Sequence, residues 1–310
     1  MRFYLGTHEP SWLSRARVPL FVSAVRLRAR CKRKLPTARV PWALDSGGVS
    51  VLNKHGTYPQ DAATYATEVR RWDEGVGNLA WAAIQDWMCE SVVLAVTGLT
   101  VEEHQRRTVR SWLDLRRLAP DLPWVPVLQG YTRAEYLRCA AMYADAGTDL
   151  ADLALVGIGS VCRREDTAEA EGIVRELAGT GLRLHGFGFK LGGLERCRDV
   201  LRSADSLAWS YGARRKSAET RRRARDEARF AGSLFDCGPA VAEKTKSSDP
   251  ATALAWLRGV EVRAGMKEEP QLCHPCPWCT SADVSPPHSS EWEWACANCG
   301  ESWADNDLEG

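Results

Sequence analysis

What most constrains this chain is the alternation of short apolar, β-rich segments with helical patterns along its first two thirds. Eight such segments can be counted: Phe3–Leu5, Leu20–Val25, Trp42–Leu44, Leu79–Ile84, Val125–Leu128, Leu153–Val156, Leu182–His185 and Ser206–Trp209. From the third onward, the stretches between them carry apolar residues every three to four positions. That spacing predicts helices over Ala62–Trp72, Val101–Leu118, Arg133–Tyr143, Thr167–Leu177 and Leu194–Leu201. Pro120 and Pro123 fall where a helix has stopped, and Gly147 and Gly181 suit helix C-terminal caps. A strand joined to the next by a helix runs parallel to it. Eight parallel strands favour a closed ring over an open sheet, so the expected fold class is α/β, a (β/α)8 TIM barrel. The first two strands show no clear crossover helix.

In such a barrel the C-terminal strand ends build one active site. Here those ends are polar: Asp45-Ser46-Gly47-Gly48, then Asp86 in Ile84-Gln85-Asp86-Trp87, Gln129-Gly130, Gly157-Ile158-Gly159, and Asp205 in Ala204-Asp205-Ser206. A carboxylate pair across one pocket suits glycosidic-bond chemistry, which makes Asp45 and Asp205 the catalytic candidates. A carboxylate such as Asp205 can attack an anomeric carbon and hold the sugar covalently. Paired glycines let backbone approach a flat ligand closely. Asp86, Gln129 and the backbone at Gly157 and Gly159 are the groups that read a purine edge, carboxylates accepting and amides donating. Each also has a plainer use. Asp-Ser-Gly-Gly makes an ordinary turn, Asp205 can cap a helix, and a lone polar loop residue can simply be satisfied where it stands. Their shared location at strand ends carries the joint reading.

The chain has 310 residues, 45% hydrophobic and 26% charged, with no apolar run near the roughly 20 residues of a membrane span. The opening Met1–Gly6 lacks an apolar signal region, so a cytoplasmic location is expected. Of eleven cysteines, five crowd between Cys273 and Cys299 and six are scattered, as reduced core thiols would be. Cys276-Pro277-Trp278-Cys279 and Cys296-Ala297-Asn298-Cys299 form two C-x2-C pairs, 16 residues apart. Two such knuckles suit tetrahedral Zn2+ held by Cys276, Cys279, Cys296 and Cys299, with a redox dithiol pair as the alternative. Cys273 and His274 are further donors able to replace one of the four. Trp292 and Trp294 alternate as in a short hairpin strand. The expected domains are a barrel over 1–265 and a zinc-ribbon-like tail over 270–310. The net charge of +1 conceals two basic blocks. One runs from Arg15 to Arg39 with no acidic residue between Pro10 and Leu44, and the other contains Arg214, Arg215, Arg221, Arg222 and Arg223. Both suit a polyanion such as nucleic acid, or else a solvated face.

Taken together, Leu44-Asp45-Ser46-Gly47-Gly48, Gln129-Gly130, Val156-Gly157-Ile158-Gly159 and Asp205-Ser206 resemble, in order, the motifs of the tRNA-guanine transglycosylase-like superfamily. Phe3-Tyr4-Leu5-Gly6-Thr7-His8 and Gln85-Asp86-Trp87-Met88-Cys89 are most similar to its DpdA-type branch, linked to deazapurine insertion in DNA. The likeness spans roughly residues 1–230. It implies a base-exchange pentosyltransferase in which Asp205 is the nucleophile and Asp45 the general acid/base. Asp86, Gln129 and the Gly157–Gly159 backbone would bind the base, and Ser46 and Gly47 would line the pocket. Val49 and Ser50 stand where the tRNA enzymes have phenylalanine and glutamine, and two C-x2-C pairs replace their three cysteines and histidine. Both departures favour DNA over tRNA. The implied partners are DNA, a 7-deazaguanine base and proteins that give access to DNA. The same chemistry on tRNA, and a non-catalytic nucleic-acid-binding barrel, are the alternatives.

Overall fold

Every strand of the main sheet runs parallel to its neighbours, in the order β5-β4-β3-β2-β1-β9-β8-β7-β6. The computed structural model describes residues 1–30, 34–161, 164 and 167–208, together with the backbone of three short strands between 284 and 304. The strands are β1 (Arg2–Thr7), β2 (Leu20–Ser23), β3 (Trp42–Asp45), β4 (Leu79–Ala83), β5 (Trp124–Val125), β6 (Val127–Leu128), β7 (Val156–Ile158), β8 (Leu184–Gly186) and β9 (Leu201–Ser206). Only Pro126 separates β5 from β6. Its missing N–H interrupts the ladder, while its carbonyl still accepts from Gly157 N at 2.8 Å. Since β5 pairs with β4 and β6 with β7, the two halves form one position in a ring of eight. The sheet is thus a nearly closed TIM-like barrel.

The helices follow from local sequence. Thr100, Thr132 and Thr167 cap α5 (Val101–Leu118), α6 (Arg133–Asp145) and α7 (Ala168–Gly179), each accepting from the backbone N–H three residues on. Glu135 completes a capping box on α6. Asp61 caps α3 (Ala62–Val76) in the same way. Shorter helices are α1 (Ala24–Arg28), α2 (Gly48–His55), α4 (Ser91–Thr97) and α8 (Leu191–Cys197). The first crossovers are thin, a 3-10 turn at Pro10–Ser14 and then α1, which is why no helical period marks them.

Period-two alternation divides the core. Phe3, Leu5, Leu20, Val22, Trp42 and Leu44 point outward to the helices. Tyr4, Phe21, Ala43, Trp81, Ala83 and Val125 fill the barrel interior. The alternation that sends Ala43 inward does the same for Asp45 two residues on.

Three expected strands move. The sixth and seventh lie one to three residues later than expected, at Val156–Ile158 and Leu184–Gly186. The eighth is Leu201–Ser206, not Ser206–Trp209, and the helix expected to reach Leu201 stops at Cys197. The reason is the polar interior at this point. Ser203 and Asp205 are buried side chains of β9, so the strand lacks the apolar signature that marks the others.

Apart from the barrel, β10 (Val284–Ser285), β11 (Glu293–Cys296) and β12 (Ser302–Ala304) form an antiparallel sheet, with Trp294 opposite Trp303. Among the described residues no helix is long and apolar enough to cross a membrane.

Candidate active site

Because all strands are parallel, Asp45 at the end of β3 and Asp205 near the end of β9 reach the same mouth. Two strands, β2 and β1, lie between theirs in the ring. Both carboxylates line one cavity of about 160 Å³, with Asp86, Gln129, Gly159 and Ser160. Phe21, Met88, Phe187 and Leu207 contribute apolar wall. A larger cavity of about 600 Å³ opens at the opposite end, among strand beginnings such as Arg2, Ala80 and Arg202. None of the residues predicted for chemistry lines it, and its volume is no argument for placing the reaction there.

Three carboxylates are held in three ways. Gly47 N–H and the Ser23 hydroxyl face Asp45 and favour its charged form. Burial, with the Asp205 charge adding to it, pushes Asp45 up to about 6 despite those two donors. Gly47 reaches that position with φ +79, the left-handed region open to glycine. Asp86, which follows β4, accepts from Ser46 Oγ at 3.1 Å and from Gln129 Nε2 at 2.5 Å. It is pushed up to about 7, first by burial and then by the Asp45 charge. Asp205 is held through one oxygen: Oδ1 accepts from Gly188 N at 3.0 Å and lies 3.3 Å from His185 Nε2.

The purine-reading side is a relay of side chains. Ser160 Oγ donates to Gln129 Oε1 at 2.7 Å, and Cys89 N–H donates to Ser160 Oγ at 2.8 Å. Ser160 takes φ +57, unusual for a residue with a side chain, and these bonds hold it there. Gln129 is fully buried, so its amide orientation is set by its partners, Asp86 on one side and Ser160 on the other.

Several sequence expectations change in detail. Ser46 and Gly47 do not line the cavity; they stand behind it and orient Asp86 and Asp45. Gly157 lies mid-strand against Phe187 and is not part of the wall. The N–H groups of Gly157 and Gly159 are bonded to the carbonyls of Pro126 and Leu128, so neither is free for a base. Ladder pairing takes those donors before any ligand arrives. In the first basic block, Arg28 pairs with Glu68 at 2.8 Å and packs over Tyr65 and Trp72, which makes it structural. Arg214, Arg215, Arg221, Arg222, Arg223, Cys273, His274, Cys276, Cys279 and Cys299 lie outside the described residues, and of Cys296 only the backbone, at the end of β11, is described.

Sequence reasoning passed over Ser23, Ser160, His185 and Phe187. Ser23 and His185 sit inside segments read as plain strands. The available signal was a polar residue at alternating register beside an aspartate: Ser23 pairs with Asp45, and His185 with Ser203.

Comparison with known proteins identifies the chain at the family level. No curated protein matches the chain. Among solved structures, a glucosidase from Croceicoccus marinus is similar at 13% identity and a TM-score of 0.31, over 59% of this chain and 44% of that one. The chain therefore spans less than half of that protein, and a likeness at this level carries no argument. The sequence model for DpdA, "DeoxyPurine in DNA protein A", matches residues 1–223, which include the whole described barrel and all three carboxylates. This is the DNA branch of the resemblance, and the chain belongs to the DpdA family.

Proposed function

We propose that the protein replaces guanine in DNA with a 7-deazaguanine, through a covalent ester between Asp205 and the deoxyribose. The observation that carries this reading is the meeting of Asp45 and Asp205 on one cavity, with Asp86 held separately beside them by Ser46 and Gln129. A cavity of about 160 Å³ suits a single base, so the target nucleotide has to leave the duplex, at a cost of a few kcal/mol.

In the first half-reaction an Asp205 carboxylate oxygen attacks C1′ as the bond from C1′ to the base breaks. The departing guanine takes that electron pair and a proton from Asp45. In the second, the incoming base gives a proton to Asp45 and attacks C1′, expelling Asp205. Two inversions retain the sugar's configuration, and the ester conserves the glycosyl bond without ATP. A carboxyl that titrates near 6 suits a group that is acid in one half and base in the other. Ionised Asp86 would accept from the ring N–H and exocyclic amine of the base. Those donors favour its charged form, and that charge in turn strengthens the hold of Asp45 on its proton. Base recognition thereby loads the general acid.

The test is exchange of labelled guanine in duplex DNA, together with a denaturation-resistant protein–DNA adduct. Asp205→Asn should abolish the adduct while DNA binding persists, and Asp45→Asn should slow adduct formation by about 10²–10⁴-fold. An adduct that survives Asp205→Asn would refer the nucleophile to another residue. Preferential exchange in tRNA would transfer the reading to the RNA substrate.

We also propose that Cys276, Cys279, Cys296 and Cys299 hold one structural Zn2+, since four thiolates leave no open position for water. The antiparallel backbone of β10–β12, with β11 ending at Cys296, supports a ribbon there. Metal analysis should find about one zinc per chain, reduced in Cys299→Ser with the barrel still folded.

A further inference from the structure

Directly beneath the mouth lies an imidazole that the chemistry above does not use. His185 is 0% exposed, on β8, ringed by Tyr4, Phe21, Trp81 and Phe187 with centroids 4.6–6.1 Å away. Register places it beside Ser203 of β9, and alternation brings Asp205 inward one step above. Its two nitrogens are both engaged, Nδ1 with Ser203 Oγ at 2.8 Å and Nε2 with Asp205 Oδ1 at 3.3 Å. We propose that His185 is a positioning residue for the nucleophile. Held as the Nε2–H tautomer by the carboxylate it faces, with the Ser203 hydroxyl on Nδ1, it holds Asp205 Oδ1 together with Gly188 N–H, so that Oδ2 is the oxygen that attacks C1′. The proposal rests on the transglycosylation reading for the identity of the attacked atom, but the tautomer and the asymmetry of the carboxylate do not.

The assignment of hydrogens follows from the partners. A carboxylate only accepts, so the nitrogen facing it carries the hydrogen. In a neutral ring Nδ1 is then an acceptor, and the Ser203 hydroxyl is the donor beside it. Among the described residues, both hydrogen bonds to Asp205 end on Oδ1. When Oδ2 forms its bond to C1′, the electron pair of the broken glycosidic bond leaves with the base, which takes its proton from Asp45. Oδ1 becomes the ester carbonyl oxygen and stays against its two donors. In the return half the carboxylate charge reappears on Asp205, where those donors stabilise it as a leaving group. The aromatic ring around His185 leaves the imidazole no room to turn away, so the carboxylate plane is set before substrate arrives.

The experiment compares wild type with His185→Gln, His185→Leu, Ser203→Ala and Asp205→Asn in the full chain. Folding is followed by thermal unfolding, duplex binding by titration, and adduct formation by single-turnover mixing. Glutamine keeps an N–H donor at the reach of Nε2, whereas leucine keeps only bulk. His185→Leu should form adduct about 10–100-fold more slowly with duplex affinity unchanged, the range expected when a reacting group loses its orienting partner. His185→Gln should recover most of that loss. Equal impairment of the two variants, or a folded His185→Leu with the wild-type rate, would overturn the proposal. Independently of activity, ¹⁵N shifts of His185 in the resting protein should show Nε2 protonated and Nδ1 bare, unchanged in Ser203→Ala but with the second tautomer populated in Asp205→Asn, whose amide can also donate. A protonated, uncharged Nδ1 in wild type would also overturn it. If wild type forms no adduct, or if Asp205→Asn still forms one, the transglycosylation reading fails on that arm. The nitrogen shifts then still decide for or against the Ser203–His185–Asp205 arrangement.

Discussion

At the scale of single residues, the site is a balance between buried charge and hydrogen bonds. Asp86 has a reference value of 3.8 and titrates near 7 in the folded chain. The stability its protonated form contributes is complete below about pH 4 and is lost as pH rises through about 7. Asp86→Asn should therefore stabilise the protein at pH 8, by on the order of 4 kcal/mol, and flatten its unfolding free energy between pH 4 and 7. An asparagine can still accept from Gln129 and face the Ser46 hydroxyl, so denaturant unfolding at several pH values isolates the charge. The same variant should weaken base binding, because the asparagine NH2 donates and cannot accept from the ring N–H and amine of the base. Gly159 is governed by space. A Cβ there would stand 2.3 Å from Gln129 Nε2, so Gly159→Ala should displace the amide from Asp86. The expected outcome is at least tenfold weaker binding of free guanine, read by calorimetry, with a melting temperature lowered by several degrees.

At the scale of elements, the Gln129 strand end is clamped by the two helices that flank it. Gln105 on α5 is buried, and its Nε2 donates to the carbonyls of Gln129 and Glu135, both at 2.7 Å. Arg138 Nε on α6 donates back to Gln105 Oε1 at 2.8 Å. Gln105→Leu would leave two carbonyls without their donor, each costing about 1–3 kcal/mol. Its melting temperature should fall by several degrees, and hydrogen exchange should rise at the start of α6. The helices themselves were legible in sequence. Val101–Leu118 appears with the limits its periodicity suggested, since a threonine cap and an apolar stripe define it locally. The short strands were less so. A strand of three residues whose inward side chain is His185, or one whose inward side chains are Ser203 and Asp205, carries no apolar alternation to find.

At the scale of the molecule, the proposed reaction would bring a duplex to the mouth. Arg26 lies on α1, just past the C-terminal end of β2, exposed and 3.3 Å from His8 Nδ1 through its Nε. Arg28, two residues on, is tied to Glu68 and Tyr65. Arg26→Glu should weaken duplex binding and reduce its salt dependence, with folding intact. Arg28→Ala should instead lower stability and leave the salt slope as it was. Affinity measured at several salt concentrations, beside thermal unfolding, separates the two. If the two variants exchange these effects, the first basic block meets DNA elsewhere than at the mouth.

The sequence by itself determined the parallel α/β barrel, the long helices, and the presence of aspartates at strand ends. These are local properties, set by apolar period, caps and turn residues within a few positions of each other. How those groups divide their work follows from the folded arrangement. It joined Val125 to Val127 across Pro126 to complete the ring, and it took the Gly157 and Gly159 amides into the ladder. It placed Ser46 and Gly47 behind the carboxylates rather than in front of them, and it set His185 under Asp205. The physical reason is that hydrogen-bond partners lying 20 to 43 residues apart, as His185 and Asp205 or Asp86 and Gln129 do, are chosen by strand order and register. Neither is written within the short windows from which a sequence pattern is read.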